Sequence, residues 1–246
     1  MCASNSGTPI IDGCSNESIV ASLFKVHFEK ACSNNSNIYN TNAKMTLDSK
    51  LDDNILHTKS DSIDKLLFTA ELVGLSVASL HTGKAGGHDG LVTEHLTHCH
   101  PIIFATLARL FNFMLLHGYV PSAFGRGLMI PIPKDSTSKR ALGVENFRGI
   151  TLSPIISKVF EHCLLLVYKD YLHTSDRQFG FKKNISCTQA IYTVRHVIDH
   201  FVANGSTVNI CCLDICKAFD KVNHYRLFSK LIDRNVPMCL NIEKLV

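Results

Sequence analysis

Little in this sequence points out of the cell or into a membrane. No positively charged stretch followed by an apolar one opens the chain, so nothing resembles a secretory leader, and the sequon Asn184-Ile185-Ser186 carries no expectation of glycosylation. The longest apolar stretch, Ile102 to Leu116, is interrupted by Arg109 and Asn112 and falls short of the roughly 20 residues a membrane span requires, so it predicts a buried helix. The 10 cysteines lack paired spacing, and Cys211, Cys212 and Cys216 lie in an apolar run, which predicts reduced thiols rather than a disulfide framework. His95, His98, Cys99 and His100 match no complete zinc pattern, because the last three cannot all face one ion from a regular helix. Internal repeats are lacking too. The expected setting is intracellular, cytoplasmic or nuclear, with no membrane partner and an oligomeric state that the sequence leaves open.

Strong charge is also missing. A formal net charge of +4 permits a nucleic-acid partner without demanding one. The excess is regional: Pro121 to Ile185 holds 10 Lys and Arg against 5 Asp and Glu, leaving 15 against 16 elsewhere. With 246 residues and 46% hydrophobic content the chain can bury a sizeable core, so it is no disordered protein.

Residues 1–60 are rich in Ser and Asn and are expected to be a loosely ordered lead-in, apart from a short helix around Leu23, Phe24 and Phe28. Residues 61–120 read as a helical region. Ile63, Leu66, Leu67, Ala70, Leu72 and Val73 have helical spacing; a Gly-rich turn from Lys84 to Gly90 follows, then a helix through Leu96. Pro101 and Gly118 suit the two ends of a helix over Ile102–His117. The period then changes: Leu128 to Lys134 predicts a strand, 135–140 a turn, and Phe147 to Leu152 a second strand returning beside the first. Ser157 is suited to cap a helix reaching about Leu172, Ser186 with Gln189 forms a capping box for one ending near Asn204-Gly205, and a last helix runs from about His224 to Asp233. Thr207 to Leu213 is a β-rich run that leads directly into Asp214.

An apolar strand ending on an aspartate holds one carboxylate rigidly at a strand terminus, which suits metal-assisted phosphoryl transfer. Taken alone, Asp214 and Asp220 read more simply as helix caps. The whole run Leu213-Asp214-Ile215-Cys216-Lys217-Ala218-Phe219-Asp220, however, resembles motif A of reverse transcriptases in its LINE-like form. Other blocks agree in order: Lys84 to Leu96, Leu115 to Lys134, Asn146-Phe147-Arg148-Gly149-Ile150-Thr151-Leu152, and Gln178-Phe179-Gly180-Phe181 with Ser186. Together they cover about residues 80 to 240 and resemble the N-terminal part of a non-LTR retrotransposon reverse transcriptase, from the fingers through motif A.

The resemblance implies an α+β fold with fingers over 121–205 and a partial palm over 206–246. It implies that Asp214 is the catalytic aspartate and, with the backbone carbonyl of Ile215, a ligand of Mg²⁺. Lys134 and Arg148 would meet the triphosphate of the incoming dNTP, with Ala218 and Phe219 beside its sugar and Phe219 as a gate against the ribose 2′-hydroxyl. Lys182 and Lys183 would touch template backbone. The implied partners are an RNA template and a DNA primer. Two solvated surface cations remain the plainer reading of Lys134 and Arg148.

His88 and Gly149 stand where the family favours Pro, and Lys182 where Arg is common. Gly149 is expected to loosen the backbone at Arg148. After Asp214 the sequence contains no adjacent acidic pair, and Asp52-Asp53 lies ahead of the fingers in a polar stretch. The chain is therefore expected to be truncated and inactive alone, with an apolar palm strand that lacks partners and lowers solubility. A nucleic-acid-binding module or a protein-interaction fragment without catalysis is the alternative.

Overall fold

A computed structural model describes residues 10–32, 37–57, 67–134, 143–182, 184–215 and 218–236. The architecture is mixed: helices α1 (Glu17–Cys32), α2 (Asn37–His57), α3 (Ala70–Ala78), α4 (Thr93–Thr97) and α5 (Ile102–His117) precede an antiparallel hairpin, β1 (Leu128–Pro133) and β2 (Phe147–Leu152). Helices α6 (Ile155–Val167), α7 (Cys187–Ala203) and α8 (His224–Asp233) follow. The chain divides into two compact units, one of residues 1–168 with 217–246, the other of residues 169–216.

The main core of the first unit is built from α3, α5 and α6. Phe68, Phe111 and Phe160 meet at tilted and edge-on angles with centroids 5.1–6.1 Å apart, within the range aromatic pairs favour. Val73, Val77, Leu107, Met114, Ile155 and Val159 close around them. The polar break noticed in the apolar run has a purpose here. The Asn112 amide donates to the Phe68 carbonyl at 2.7 Å and its oxygen accepts from the Phe68 N–H at 3.1 Å, so the chain entering α3 is tied to α5 where its backbone has no ladder partner. Pro101 caps α5, and Gly118 ends it in the left-handed conformation at φ 55°. The helix is only half buried: Ile102, Phe113 and Leu116 stay exposed on its outer side, which corrects the expectation of a fully buried helix.

Cys163 is fully buried, its sulfur 3.2 Å from the Ser76 hydroxyl. Burial raises the thiol pKa, and the Ser76 hydrogen bond works in the opposite direction. Cys32, Cys187, Cys211 and Cys212 are exposed. Brief maleimide treatment of the native chain, followed by peptide mass mapping, is expected to modify these exposed thiols and to spare Cys163 until denaturant is added. Early modification of Cys163 would mean that the α3–α6 contact opens readily.

Other expectations are corrected as well. The lead-in is helical over α1 and α2 rather than loosely ordered, because each helix finds a partner: α1 lies against the hairpin, and α2 against α8 through Leu47, Leu51 and Ile232. The helix expected from Ser62 begins at Ala70, where Thr69 caps it by accepting from the Leu72 N–H; the preceding residues 58–66 lie outside the described ones. Helix α6 starts behind Pro154, and Ser157 lies inside its first turn, where its hydroxyl donates back to the Pro154 carbonyl. Half of the expected capping box forms, the Gln189 side-chain oxygen accepting from the Ser186 N–H, and the span of α8 is as expected.

The second unit consists of turns over 169–185, then α7, then an irregular stretch over 206–215. No strand forms at Thr207–Leu213. A lone strand leaves its amide and carbonyl groups without partners, and among the described residues none lies alongside to supply them.

Candidate functional site

The residues singled out for nucleotide chemistry fall into separate parts of the molecule. Lys134 and Arg148 come from the β1–β2 hairpin. Its register pairs Ile132 with Arg148 and Pro133 with Phe147, and the Lys134 N–H extends the ladder by donating to the Asn146 carbonyl at 2.8 Å. Side chains alternate across a sheet with a period of two, so Lys134, Ile132 and Arg148 share one face, with Ile130, Ile150 and Leu128 further along it. That face is exposed. The Lys134 ammonium donates to the Glu145 carbonyl at 2.6 Å, which anchors it across the open end of the hairpin.

The opposite face is covered at Phe147 and stays open around Met129 and Thr151. Phe147 meets Phe24 of α1 edge-on with centroids 4.9 Å apart, and Ile11, Val20, Phe28 and Val144 complete the contact. Gly149 does not loosen this strand as expected. It pairs in register with Pro131, and a Cβ there would lie 3.0 Å from both the Met129 sulfur and the Phe28 ring. Its bare backbone admits the aromatic ring of α1, so the glycine serves packing rather than mobility. The helix thereby fixes which side of the hairpin stays open.

Behind the hairpin, the Gly-rich turn is held close to the start of α6. A Cβ on Gly87 would come within 3.0 Å of the Pro154 nitrogen, and one on Gly86 within 2.8 Å of the Leu91 carbonyl oxygen. The Gly83 N–H donates to the Glu94 carboxylate and holds its pKa below the ordinary value. This turn, Thr93 and the start of α6 enclose a hollow of about 180 Å³ lined by His81, Lys84 and Lys158. Lys158 was not among the expected site residues; its position inside a helical turn gives no hint that it faces Lys84.

Asp214 and Ile215 belong to the second unit, at the end of its irregular stretch, where both are exposed. Lys182 lies in the same unit, in a turn of its own: its ammonium donates to the Ser175 carbonyl at 2.7 Å and sits 4.0 Å from the Asp176 carboxylate. Lys183 lies outside the described residues. Ala218 and Phe219 form an exposed turn in the first unit, ahead of α8.

The carboxylate of Asp214 and the carbonyl of Ile215 are hard oxygen donors of the type Mg²⁺ accepts, but they are fewer than the roughly six oxygens of its octahedral shell. Among the described residues no group of three or more His, Cys, Asp or Glu side chains could hold a metal ion. Among the described residues, Asp214 and Ile215 alone thus offer too few donors for such a shell. Nor is any described helix long and apolar enough to cross a membrane.

No model of a known protein family matches the sequence. Individual proteins do. The chain is 30% identical over 166 residues, 66% of its length, to the RNA-directed DNA polymerase from mobile element jockey of Drosophila melanogaster. It is 29% identical over 154 residues, 60% of its length, to a probable RNA-directed DNA polymerase from transposon X-element of the same species. It is 26% identical over 157 residues, 64% of its length, to a retrovirus-related Pol polyprotein from a type-2 retrotransposable element, again of Drosophila melanogaster. The aligned stretches make up 18%, 16% and 14% of those proteins, so the chain spans less than a fifth of the length of the curated relatives it matches. Over the matched stretch, the chain is similar to the reverse transcriptases of non-LTR retrotransposons.

Proposed function

We propose that the β1–β2 hairpin is the fingers element of an RNA-directed DNA polymerase and receives the triphosphate of the incoming dNTP. One observation supports this reading above the rest: Lys134 and Arg148 share one exposed face of the hairpin, opposite the face on which Phe147 packs against α1. The guanidinium of Arg148 presents a planar fork suited to two phosphate oxygens, and Lys134 adds a point charge near it. The aliphatic side chains on the same face offer an apolar surface to a base or sugar.

In this reading Asp214 is the catalytic aspartate and, with the Ile215 carbonyl, a ligand of Mg²⁺. Ala218 and Phe219 line the sugar side, and Lys182 and Lys183 contact the backbone of an RNA template paired with a DNA primer. Residues 206–246 belong to the palm. Because one metal carboxylate is too few, the 246 residues by themselves bind nucleic acid without polymerising it.

Anisotropy titration of a labelled RNA–DNA hybrid tests this. Binding is expected at low salt and is expected to weaken steeply as salt rises, because phosphate contacts release counterions. With hybrid bound, Arg148→Gln should weaken dNTP binding about tenfold or more, the loss of one hydrogen bond between charged partners, and should leave hybrid affinity in place. A chain that binds no hybrid at low salt would overturn the reading.

A further inference from the structure

The two edges of the hairpin differ. The register, together with the bond from the Lys134 N–H to the Asn146 carbonyl, turns the backbone groups of Leu128, Ile130, Ile132 and Lys134 towards β2, so those of Met129, Pro131 and Pro133 point outward. Two of these three are prolines and cannot donate, which closes the outer edge of β1 to a further strand. On β2 the outward groups belong to Phe147, Gly149 and Thr151. The Phe147 N–H donates back to the Val144 carbonyl. Among the described residues no hydrogen bond takes the Gly149 and Thr151 amides or the carbonyls of all three, and Gly149 and Thr151 are exposed. This edge is open.

A matching set of unpaired groups lies later in the chain. Thr207 to Leu213 is uncharged, holds the β-branched residues Thr207, Val208 and Ile210, and is irregular, with Ile210 57% and Leu213 91% exposed. Laid antiparallel to β2 with Ile210 opposite Ile150, such a segment fits the open edge position by position. Cys211 meets Gly149 and Asn209 meets Thr151, each pair exchanging two backbone hydrogen bonds, and the Leu213 N–H meets the Phe147 carbonyl. The alternate residues Val208 and Ile210 come beside Leu152 and Ile150, extending the apolar face of Leu128, Ile130 and Ile132. Asp214 then falls opposite Asn146, in the row of Lys134 and diagonal to Arg148, so charge agrees with the register.

We infer that the outer edge of β2 takes up residues 207–213 of a second copy of this chain as a third, antiparallel strand. Backbone groups make the pairing, so it does not rest on the polymerase reading.

Two measurements test it, both under reducing conditions that keep Cys211 and Cys212 as thiols. In sedimentation velocity the full chain is expected to gain mass with concentration, and excess peptide of residues 206–214 should return it to monomer. In anisotropy the labelled peptide should bind the full chain. A methyl group on its Cys211 nitrogen, which faces β2, should weaken binding about tenfold or more; one on its Ile210 nitrogen, which faces away, should cost less than about twofold. Thr151→Pro in the chain copies the device of the opposite edge, removing an outward donor without breaking a bond to β1. It should weaken the peptide about fivefold or more while far-UV circular dichroism stays the same. A chain that is monomeric throughout overturns the inference, as does self-association that the peptide fails to reverse or a peptide that does not bind. Equal losses from the two methyl groups overturn it too, because the contact is then apolar adhesion without a register. So does undiminished binding by a folded Thr151→Pro chain; if that variant does not fold, the methylated pair decides.

Discussion

A primer–template supplied with deoxynucleotides and Mg²⁺ is expected to stay unextended when mixed with these 246 residues, and Asp214→Ala is expected to change nothing in that gel. Phosphoryl transfer draws nearly all of its rate from positioning and electrostatic stabilisation, commonly by two metal ions about 3.5–4 Å apart. In the proposed reading, Asp214 and the Ile215 carbonyl are the donors among the described residues, and they are too few for such a pair. Extension by the parent chain that disappears on Asp214→Ala would refute the proposed inactivity and would also identify Asp214 as catalytic.

The second large effect concerns stability. Phe111 has no exposed surface and touches both Phe68 and Phe160. Its replacement by alanine removes a ring from the junction of α5, α6 and the residues entering α3, and nothing in a core sealed by three helices can collapse fully into the gap. A loss of about 3–5 kcal/mol in unfolding free energy is expected, measured by urea denaturation. For a domain of ordinary stability this takes most of the margin. A cost under 1 kcal/mol would mean that the aromatic cluster is not the centre of the fold.

The parts of this structure that were legible in the sequence carry their own local instructions. Pro101 and Gly118 delimit α5 because one lacks an amide hydrogen and the other tolerates φ of 55°. Ser186 and Gln189 start α7, the glutamine side chain satisfying the serine N–H. The hairpin was readable from its two short apolar runs, and strand pairing brings Lys134 and Arg148 onto one face without further information.

What was not legible depends on partners. Residues 207–213 have strand composition, but composition cannot provide the neighbouring ladder, and the segment is irregular. Helix α2 is polar with weak apolar periodicity, and its contact with α8 accounts for its place. Likewise, nothing near Gly149 in the sequence announces the Phe28 ring that rests on it. For the site, the register of the two strands puts Arg148 and Lys134 on one face of the hairpin, whereas the helix that covers part of the other face comes from a stretch of sequence more than a hundred residues earlier, which no local pattern announces.

The pairing of α2 with α8 has a temporal side. Lys50 and Asp233 are 183 residues apart, so a ribosome adding roughly 5–20 residues per second leaves α2 waiting on the order of ten to forty seconds for its partner to be made. During that interval Ala43, Leu47 and Leu51 have nothing to cover them, and the nascent chain offers a binding stripe to any chaperone stationed at the tunnel exit.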